Sequence, residues 1–404
     1  MPTPCITNPN QATKNLLNNL HNQSLNENVT FFGHQDSLAY GRDWYYEKGR
    51  IKKNKADAGV AASIGKSDVF DTVKKSNVSE RAYPAVFGWD LGELEKQIPD
   101  KDYLINGVVI SDLRQHIKWV FNNGGVNTIS WHCKNPDTLA NFKSFNPQNP
   151  NDPNQVSYRK PGTVAKVLIN GSPAQIKFNQ WLDLVIDFFN HPDIAHIPII
   201  FRPLHESNLR NCFWWDTEGC TNADYKKLWN HIYNRFNARG VKNALFAYCI
   251  NDVWNGENES DETATKNNFK IAFDNRCPDK VDVLGFDTYQ SNTQLTGNNY
   301  TQRVKYQCEK LLEIATEKNK VAAITEAGIE NLPVANWWTT TFAEITKNDN
   351  IAYIMLWRNP CVANDSSAYF CSSPNNKTAA DFVAFYQNFK IMFLQNVKSL
   401  NLYS

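Results

Sequence analysis

The sequence predicts an α/β fold, a single (β/α)8 barrel over residues 1–404 whose elongated βα loops form a cleft for a substrate. Three observations carry that prediction. Eight short apolar runs each end abruptly in polar residues; amphipathic stretches separate them; and neither a linker nor a repeat longer than the strand–helix unit interrupts the alternation. Near-continuous apolar strands alternating with helices are the pattern of a parallel sheet covered on both faces, and eight such units closing on themselves make a barrel. An open doubly wound sheet is the alternative, but no Gly-rich phosphate loop supports it.

The runs follow in order. They are "VTFFGHQD" (29–36), "AVFGWDLG" (85–92), "VNTISWH" (126–132), "IPIIFRPLHE" (197–206), "ALFAYCIN" (244–251), "VDVLGFDTY" (281–289), "VAAITEAG" (321–328) and "IAYIMLWRN" (351–359). Between them, residues 112–123, 174–189, 223–240 and 301–318 repeat apolar side chains at intervals of three and four, as a helix with one buried face requires. Residues 135–172 are rich in Asn and Pro and read as a structured loop over the barrel mouth.

Composition excludes several roles. The chain has 42 basic against 41 acidic residues, a net charge of +1, so no basic face invites nucleic acid. No apolar run is long enough to span a membrane. Aromatic residues are abundant at 13%, with 12 Trp, and indoles placed after strands suit a flat apolar ligand face such as that of a sugar. Nine cysteines are too few for a disulfide scaffold, but Cys212 with Cys220, and Cys361 with Cys371, are close enough in loop-like sequence to close small rings. We expect a secreted monomer whose leader is missing from this chain.

In a barrel of this kind the chemistry sits where the strands end and the βα loops begin. Every predicted strand ends in groups suited to a polar ligand: His34, Gln35 and Asp36; Trp89 and Asp90; Trp131 and His132; Arg202, His205 and Glu206; Asn251 and Asp252; Asp287 and Tyr289; Glu326; Trp357 and Arg358. Glu206 ends the fourth run and Glu326 the seventh. Two carboxyls facing each other across a site can cleave a glycosidic bond, one protonating the leaving oxygen and the other attacking the anomeric carbon. Glu206, followed by Phe213, Trp214 and Trp215, suits the donor, whose proton an apolar wall would retain; Glu326 suits the nucleophile.

The segments "RPLHESNLRNCFWW", "ISWHCKNP", "FDTY", "ITEAG" and "MLWRN", in this order and at these strand ends, resemble glycoside hydrolase family 26, the β-mannanases of the clan A barrel hydrolases. The resemblance implies a retaining endo-β-1,4-mannanase without metal or other cofactor, acting on β-mannan and manno-oligosaccharides. It implies Glu206 as acid/base and Glu326 as nucleophile, with Tyr289 bonded to the nucleophile. His132, Arg202, His205, Trp357 and Arg358 would line the sugar subsites, and we place Phe213, Trp214 and Asp287 with them. The family pattern carries Trp where this chain has Cys212, leaving the wall of the cleavage site to Phe213 or to a loop reshaped by a Cys212–Cys220 bridge. Mixed-linkage β-glucan, β-1,3-xylan and exo-acting release of mannobiose remain alternatives within the resemblance. A non-catalytic glycan-binding barrel is the rival from another class, disfavoured by the presence of both carboxylates. A metal hydrolase using His34, His132 and His205 is disfavoured by the lack of a His-x-His after the first run.

Overall fold

The computed structural model describes residues 1–404 except 27–28, 55, 77–81, 97–106, 143–150, 254–260, 293–297, 348–349 and 361–367. All eight apolar runs are strands: β1 Thr30–Gln35, β2 Val86–Asp90, β3 Val126–Trp131, β4 Ile199–Pro203, β5 Ala244–Asn251, β6 Val283–Gln290, β7 Val321–Ile329 and β8 Tyr353–Leu356. Each pairs in parallel with the next, and β8 returns to β1 through the register Phe31↔Tyr353 to His34↔Leu356, closing the barrel. A two-residue strand, Ile391–Met392, adds to the start of β1 where β2 has not yet begun to pair.

The alternation of side chains along each strand sorts the core into two parts. One apolar cluster draws on Val86, Val126, Ile200, Leu245, Val283, Val321 and Tyr353, and it takes in Leu16, Leu17 and Leu20 from the N-terminal helix Gln11–Asn26. These residues fill the barrel and plug the end opposite the cleft. The other, larger cluster joins the remaining strand residues to the surrounding helices, for example Phe178, Leu182, Val185 and Ile186 of Pro173–Phe189 against Ile199 and Phe201. Space inside the barrel is tight. A Cβ on Gly88 would lie 1.9 Å from Gln35 Oε1 and 2.5 Å from Met355 Sδ, so a larger residue there would force these side chains to move.

The helices start where their capping residues dictate. Ser172, Thr221 and Asp261 each accept a backbone N–H from the first turn of the helices Pro173–Phe189, Asn222–Ala238 and Glu262–Arg276. Two features were not expected. A small antiparallel sheet of Tyr40–Gly41, Trp44–Glu47, Arg50–Lys52 and Val60–Ala61 follows β1. The described parts of segment 135–172 hold two short helices, Pro153–Tyr158 and Thr163–Val167, pinned by Asn135, whose amide donates to Tyr158 O at 2.8 Å and Thr163 Oγ1 at 3.1 Å. No helix among the described residues is long and apolar enough to cross a membrane.

Candidate active site

Strand β4 delivers its polar residues through a turn that an ordinary L-residue resists. Leu204 (φ 51°) and Glu206 (φ 53°) both take the left-handed conformation, which costs on the order of 1 kcal/mol or more at each. Neighbours hold the turn in place. Tyr225 Oη donates to Leu204 O at 2.9 Å, Trp215 Nε1 to His205 O at 2.9 Å, and the Glu206 N–H donates to Cys249 O on β5 at 3.1 Å. The turn points the Glu206 carboxyl into the barrel mouth, where Asn251 Nδ2 donates to its Oε1 at 2.8 Å.

Arg202, 1% exposed, lies beneath the carboxylates. One guanidinium nitrogen donates to Asp287 Oδ2 at 2.8 Å and another to Glu326 Oε1. Tyr289 Oη donates to the other oxygen of Glu326, Oε2, at 2.7 Å, and Thr325 Oγ1 donates to Asp287 Oδ1 at 2.5 Å. Tyr289 is steadied in turn by the edge of Phe370, centroid 5.5 Å away. Phe370 comes this close to the sheet because Gly328, at φ 157°, has no side chain; a Cβ there would stand 2.7 Å from Phe370 Cδ1.

One oxygen each from Glu206, Asp287 and Glu326 lies within 4.8 Å of the others. Such a triangle could hold a cation, and the Arg202 guanidinium already supplies one, bonded to one oxygen of Glu326 and one of Asp287. A buried cation shared by two buried carboxylates is the pairing that makes such a cluster tolerable. Burial disfavours the Arg202 charge, but Asp287 and Glu326 outweigh it and hold the proton more tightly than usual. Asp287 is pushed up to about 7, chiefly by burial. Burial, together with the negative charges of Asp287 and Glu326, also raises the Glu206 carboxyl well above the usual range, against the opposing Asn251 hydrogen bond and Arg202.

A second polar group flanks Glu206. Asp90 Oδ2 contacts His132 Nδ1, and His132 Nε2 lies 3.2 Å from His205 Nε2. Aromatic rings back this pair: Phe142 lies 4.6 Å from the His132 ring, Phe213 lies 5.0 Å from His205, and Phe213 stacks between Phe142 and Trp215 at 5.3 and 4.6 Å. Trp357 and Arg358 are partly exposed at the end of β8, with the Arg358 guanidinium 5.8 Å from the Trp357 ring and the His132 ring at 6.4 Å.

The structure thus gathers Glu206, Glu326, His132, His205, Tyr289, Trp357 and Arg358 at one mouth. Four of the expected sugar contacts are buried behind or within other groups of the site. Trp214 is wholly buried, its indole donating to Cys133 O at 3.2 Å and its ring set edge-on to Phe178, so it has no face to offer a sugar. Asp287 and Arg202 lie behind the carboxylates they bind, and Phe213 is 2% exposed within the aromatic stack. These three position other groups.

The expected Cys212–Cys220 bridge is also absent, since both are free thiols. Asp216 closes that ring instead, accepting from the N–H groups of Cys212 and Phe213 through Oδ2 and of Glu218 and Gly219 through Oδ1. Cys371 is likewise a free thiol, while its expected partner Cys361 lies outside the described residues. Asp90 and Asn251 stand out in the sequence only as polar strand ends; nothing local marks them as partners of His132 and Glu206.

Comparison with known proteins agrees with this geometry. The profile of glycosyl hydrolase family 26 matches residues 6–364. A mannan endo-1,4-β-mannosidase of Bifidobacterium adolescentis is 28% identical over 83% of this chain, and one of Bacillus subtilis is 27% identical over 61%. The match spans only 32% of the former and 58% of the latter. Among solved structures, a family 26 β-mannanase of Bacteroides ovatus superposes with a TM-score of 0.77 at 28% identity, covering 98% of each chain.

Proposed function

The chain belongs to glycosyl hydrolase family 26, and from that premise we propose that it cleaves internal β-1,4 bonds of mannan, glucomannan or galactomannan with retention of anomeric configuration. The observation that carries the mechanism is the unlike environment of two carboxyls at one mouth. Glu206 is met by one neutral donor and by negative neighbours that raise its proton affinity; Glu326 is oriented by a cationic donor and a phenol. Acid and nucleophile assignments follow from such asymmetry. One oxygen of each carboxyl lying within 4.8 Å of the other supports double displacement, for which the groups stand roughly 5–5.5 Å apart.

In the first step Glu326 attacks the anomeric carbon while Glu206 gives its proton to the departing glycosidic oxygen, leaving a glycosyl ester on Glu326. In the second, the Glu206 carboxylate takes a proton from water as that water attacks from the face the glycosidic oxygen left and displaces Glu326. His132, His205, Trp357 and Arg358 border the bound sugars. An enzyme acting on a polymer too large to enter a cell works outside it, which is where we place this chain.

The named relatives support mannan as the substrate. The test is product analysis on mannan, glucomannan, mixed-linkage glucan and β-1,3-xylan, with viscosity followed alongside reducing ends. Short manno-oligosaccharides and an early fall in viscosity are expected; hydrolysis of the glucan or the xylan alone overturns the substrate. Glu206→Ala should slow polysaccharide hydrolysis far more than that of activated aryl glycosides, because only the former needs protonation of its leaving group. Equal losses on both would remove Glu206 from the acid role.

A further inference from the structure

The two oxygens of Asp90, 3% exposed at the end of β2, have different partners. Oδ1 accepts the backbone N–H of Gly92 at 2.5 Å and of His132 at 3.3 Å. Oδ2 accepts the Ser130 hydroxyl at 2.8 Å and lies against Nδ1 of His132. His132 presents its other nitrogen, Nε2, to Nε2 of His205 at 3.2 Å. The remaining nitrogen of that chain, His205 Nδ1, is buried with no protein partner.

Two imidazole nitrogens at this distance form a hydrogen bond only if one carries a proton and the other a lone pair. Burial would raise the Asp90 carboxyl, but His132, the Gly92 N–H and the Ser130 hydroxyl outweigh it and hold it at about 2, so Asp90 is an anion that can only accept. His132 therefore carries a proton on Nδ1, and when that is its single proton Nε2 is a lone pair. His205 must then donate through Nε2–H. Burial, His132 and Arg202 all disfavour a charge on His205, so it has no second proton, and its Nδ1 is left as an acceptor.

We propose that Asp90 is a positioning residue that sets the direction of the hydrogen bond between His132 and His205, and so leaves His205, next to the acid Glu206, with an acceptor nitrogen for a substrate hydroxyl. The last clause rests on the glycosidase reading; the direction of the hydrogen bond does not. The geometry also says what the isosteric change would do. In Asp90→Asn the two backbone N–H groups hold the amide oxygen at the Oδ1 position, so the NH2 group must take the Oδ2 position and face His132 Nδ1. That nitrogen must become an acceptor, its proton moves to Nε2, and His205 is driven to the Nδ1–H form. One isosteric substitution reverses the whole chain and turns an acceptor into a donor.

The test is ring-15N NMR of histidine-labelled protein, with His132 and His205 assigned by single His→Gln variants, run beside steady-state kinetics on manno-oligosaccharides. In the unaltered protein at neutral pH, His132 should be protonated at Nδ1 and bare at Nε2, and His205 bare at Nδ1. In Asp90→Asn all three should reverse, and kcat/KM should fall on the order of a hundredfold, as when a partner carboxylate stops fixing a tautomer. In a His132→Phe background, where no tautomer can be relayed, adding Asp90→Asn should change kcat/KM by less than about twofold.

The proposal is overturned if the unaltered protein shows His132 protonated on Nε2, if folded Asp90→Asn keeps the original tautomers, or if the two substitutions lower activity independently. Should Asp90→Asn fail to fold, the tautomers of the unaltered protein still decide. Expected NMR signals in a protein that cleaves none of the glycans would overturn the function and the hydroxyl contact while leaving the direction of the hydrogen bond in place.

Discussion

The indole N–H of Trp215 donates to the carbonyl oxygen of His205 at 2.9 Å, and the next residue is Glu206 at φ 53°. The other end of this tie is anchored as well, since Arg276 donates to Trp215 O at 2.9 Å and to Asp216 O at 3.2 Å. The indole therefore clamps the strained turn that aims the Glu206 carboxyl.

Trp215→Phe keeps the stack with Phe213 but orphans the His205 carbonyl. It should cost about 1–3 kcal/mol of stability, the penalty of a buried acceptor left without a donor. Because the turn then samples other directions, kcat should fall on the order of tenfold with KM little changed. Thermal unfolding and steady-state kinetics check both, and an unaltered kcat would mean that the turn holds itself.

Arg202 supplies the positive charge shared by Asp287 and Glu326, and all three are nearly inaccessible to water. Arg202→Met should abolish turnover and destabilise the fold by about 3–5 kcal/mol, the cost of leaving buried charge unpaired. The loss should be smaller at pH 5 than at pH 8. Without the cation the folded carboxyls bind a proton more tightly than the unfolded ones do, so stability is retained at low pH and lost as pH rises. Urea midpoints at the two pH values decide; an equal loss at both would show that the carboxylates do not depend on the guanidinium.

Asp36, 1% exposed at the end of β1, is pushed up from 3.8 to about 7, mainly by burial and against the Tyr40 hydroxyl that donates to it at 2.5 Å. The folded protein thus holds a proton that the unfolded chain releases. The associated stability is full below pH 3.8 and lost as pH rises toward 7, roughly 4 kcal/mol at most by the usual conversion. Asp36→Asn should flatten this decline and stabilise the protein at pH 8, and asparagine accepts the φ of 55° at this position. Denaturant midpoints from pH 4 to 8 measure the slope. An unchanged slope would mean that Asp36 is ionised in the fold throughout.

The barrel was legible because each strand is an apolar run of usable length and each helix a run of period 3.6, signals that depend on neighbours in sequence. The small sheet after β1 was not, because its strands are two to four residues long, as in Tyr40–Gly41 and Val60–Ala61, too short for alternation to appear. Glu206 and Glu326 were legible as strand ends. The placing of Trp214 was not, since a Trp after a strand looks the same whether its face meets a sugar or Phe178. The ties of Asp90 to His132 and Asn251 to Glu206 join residues 42 and 45 positions apart, and only the closed barrel brings them together.

Asn251 offers a direct test of what sets the acid. Its amide donates to Glu206 Oε1 at 2.8 Å and favours the carboxylate, opposing the burial and negative neighbours that raise the proton affinity. Asn251→Ala removes that opposition, so the Glu206 proton is lost at higher pH. In the proposed mechanism protonated Glu206 delivers the first proton, and its loss shapes the alkaline limb of kcat/KM. The limb should therefore move to higher pH in the variant. A pH–rate profile that stays put, or moves to lower pH, would mean that another group sets the limb.

Trp357 separates a sugar platform from a core residue. Unlike the wholly buried Trp214 and Trp215, it is partly exposed, and it stands at the end of β8 beside His132 and under the Arg358 guanidinium. Its backbone N–H is held by Ala327 O, next to Glu326 in sequence, so the ring is fixed relative to the nucleophile. A pyranose ring flattens toward an oxocarbenium ion as the glycosidic bond breaks, and contact with a rigid aromatic floor matters most in that state. Trp357→Ala should therefore lower kcat as well as kcat/KM, on the order of a hundredfold, while shifting the melting temperature by only a few degrees. If Trp357 were core, the same change would cost about 3–5 kcal/mol, and the folded fraction would turn over at nearly the normal rate. Parallel measurement of kcat and thermal unfolding tells the two apart, and a large loss of stability with normal turnover would remove Trp357 from the subsite.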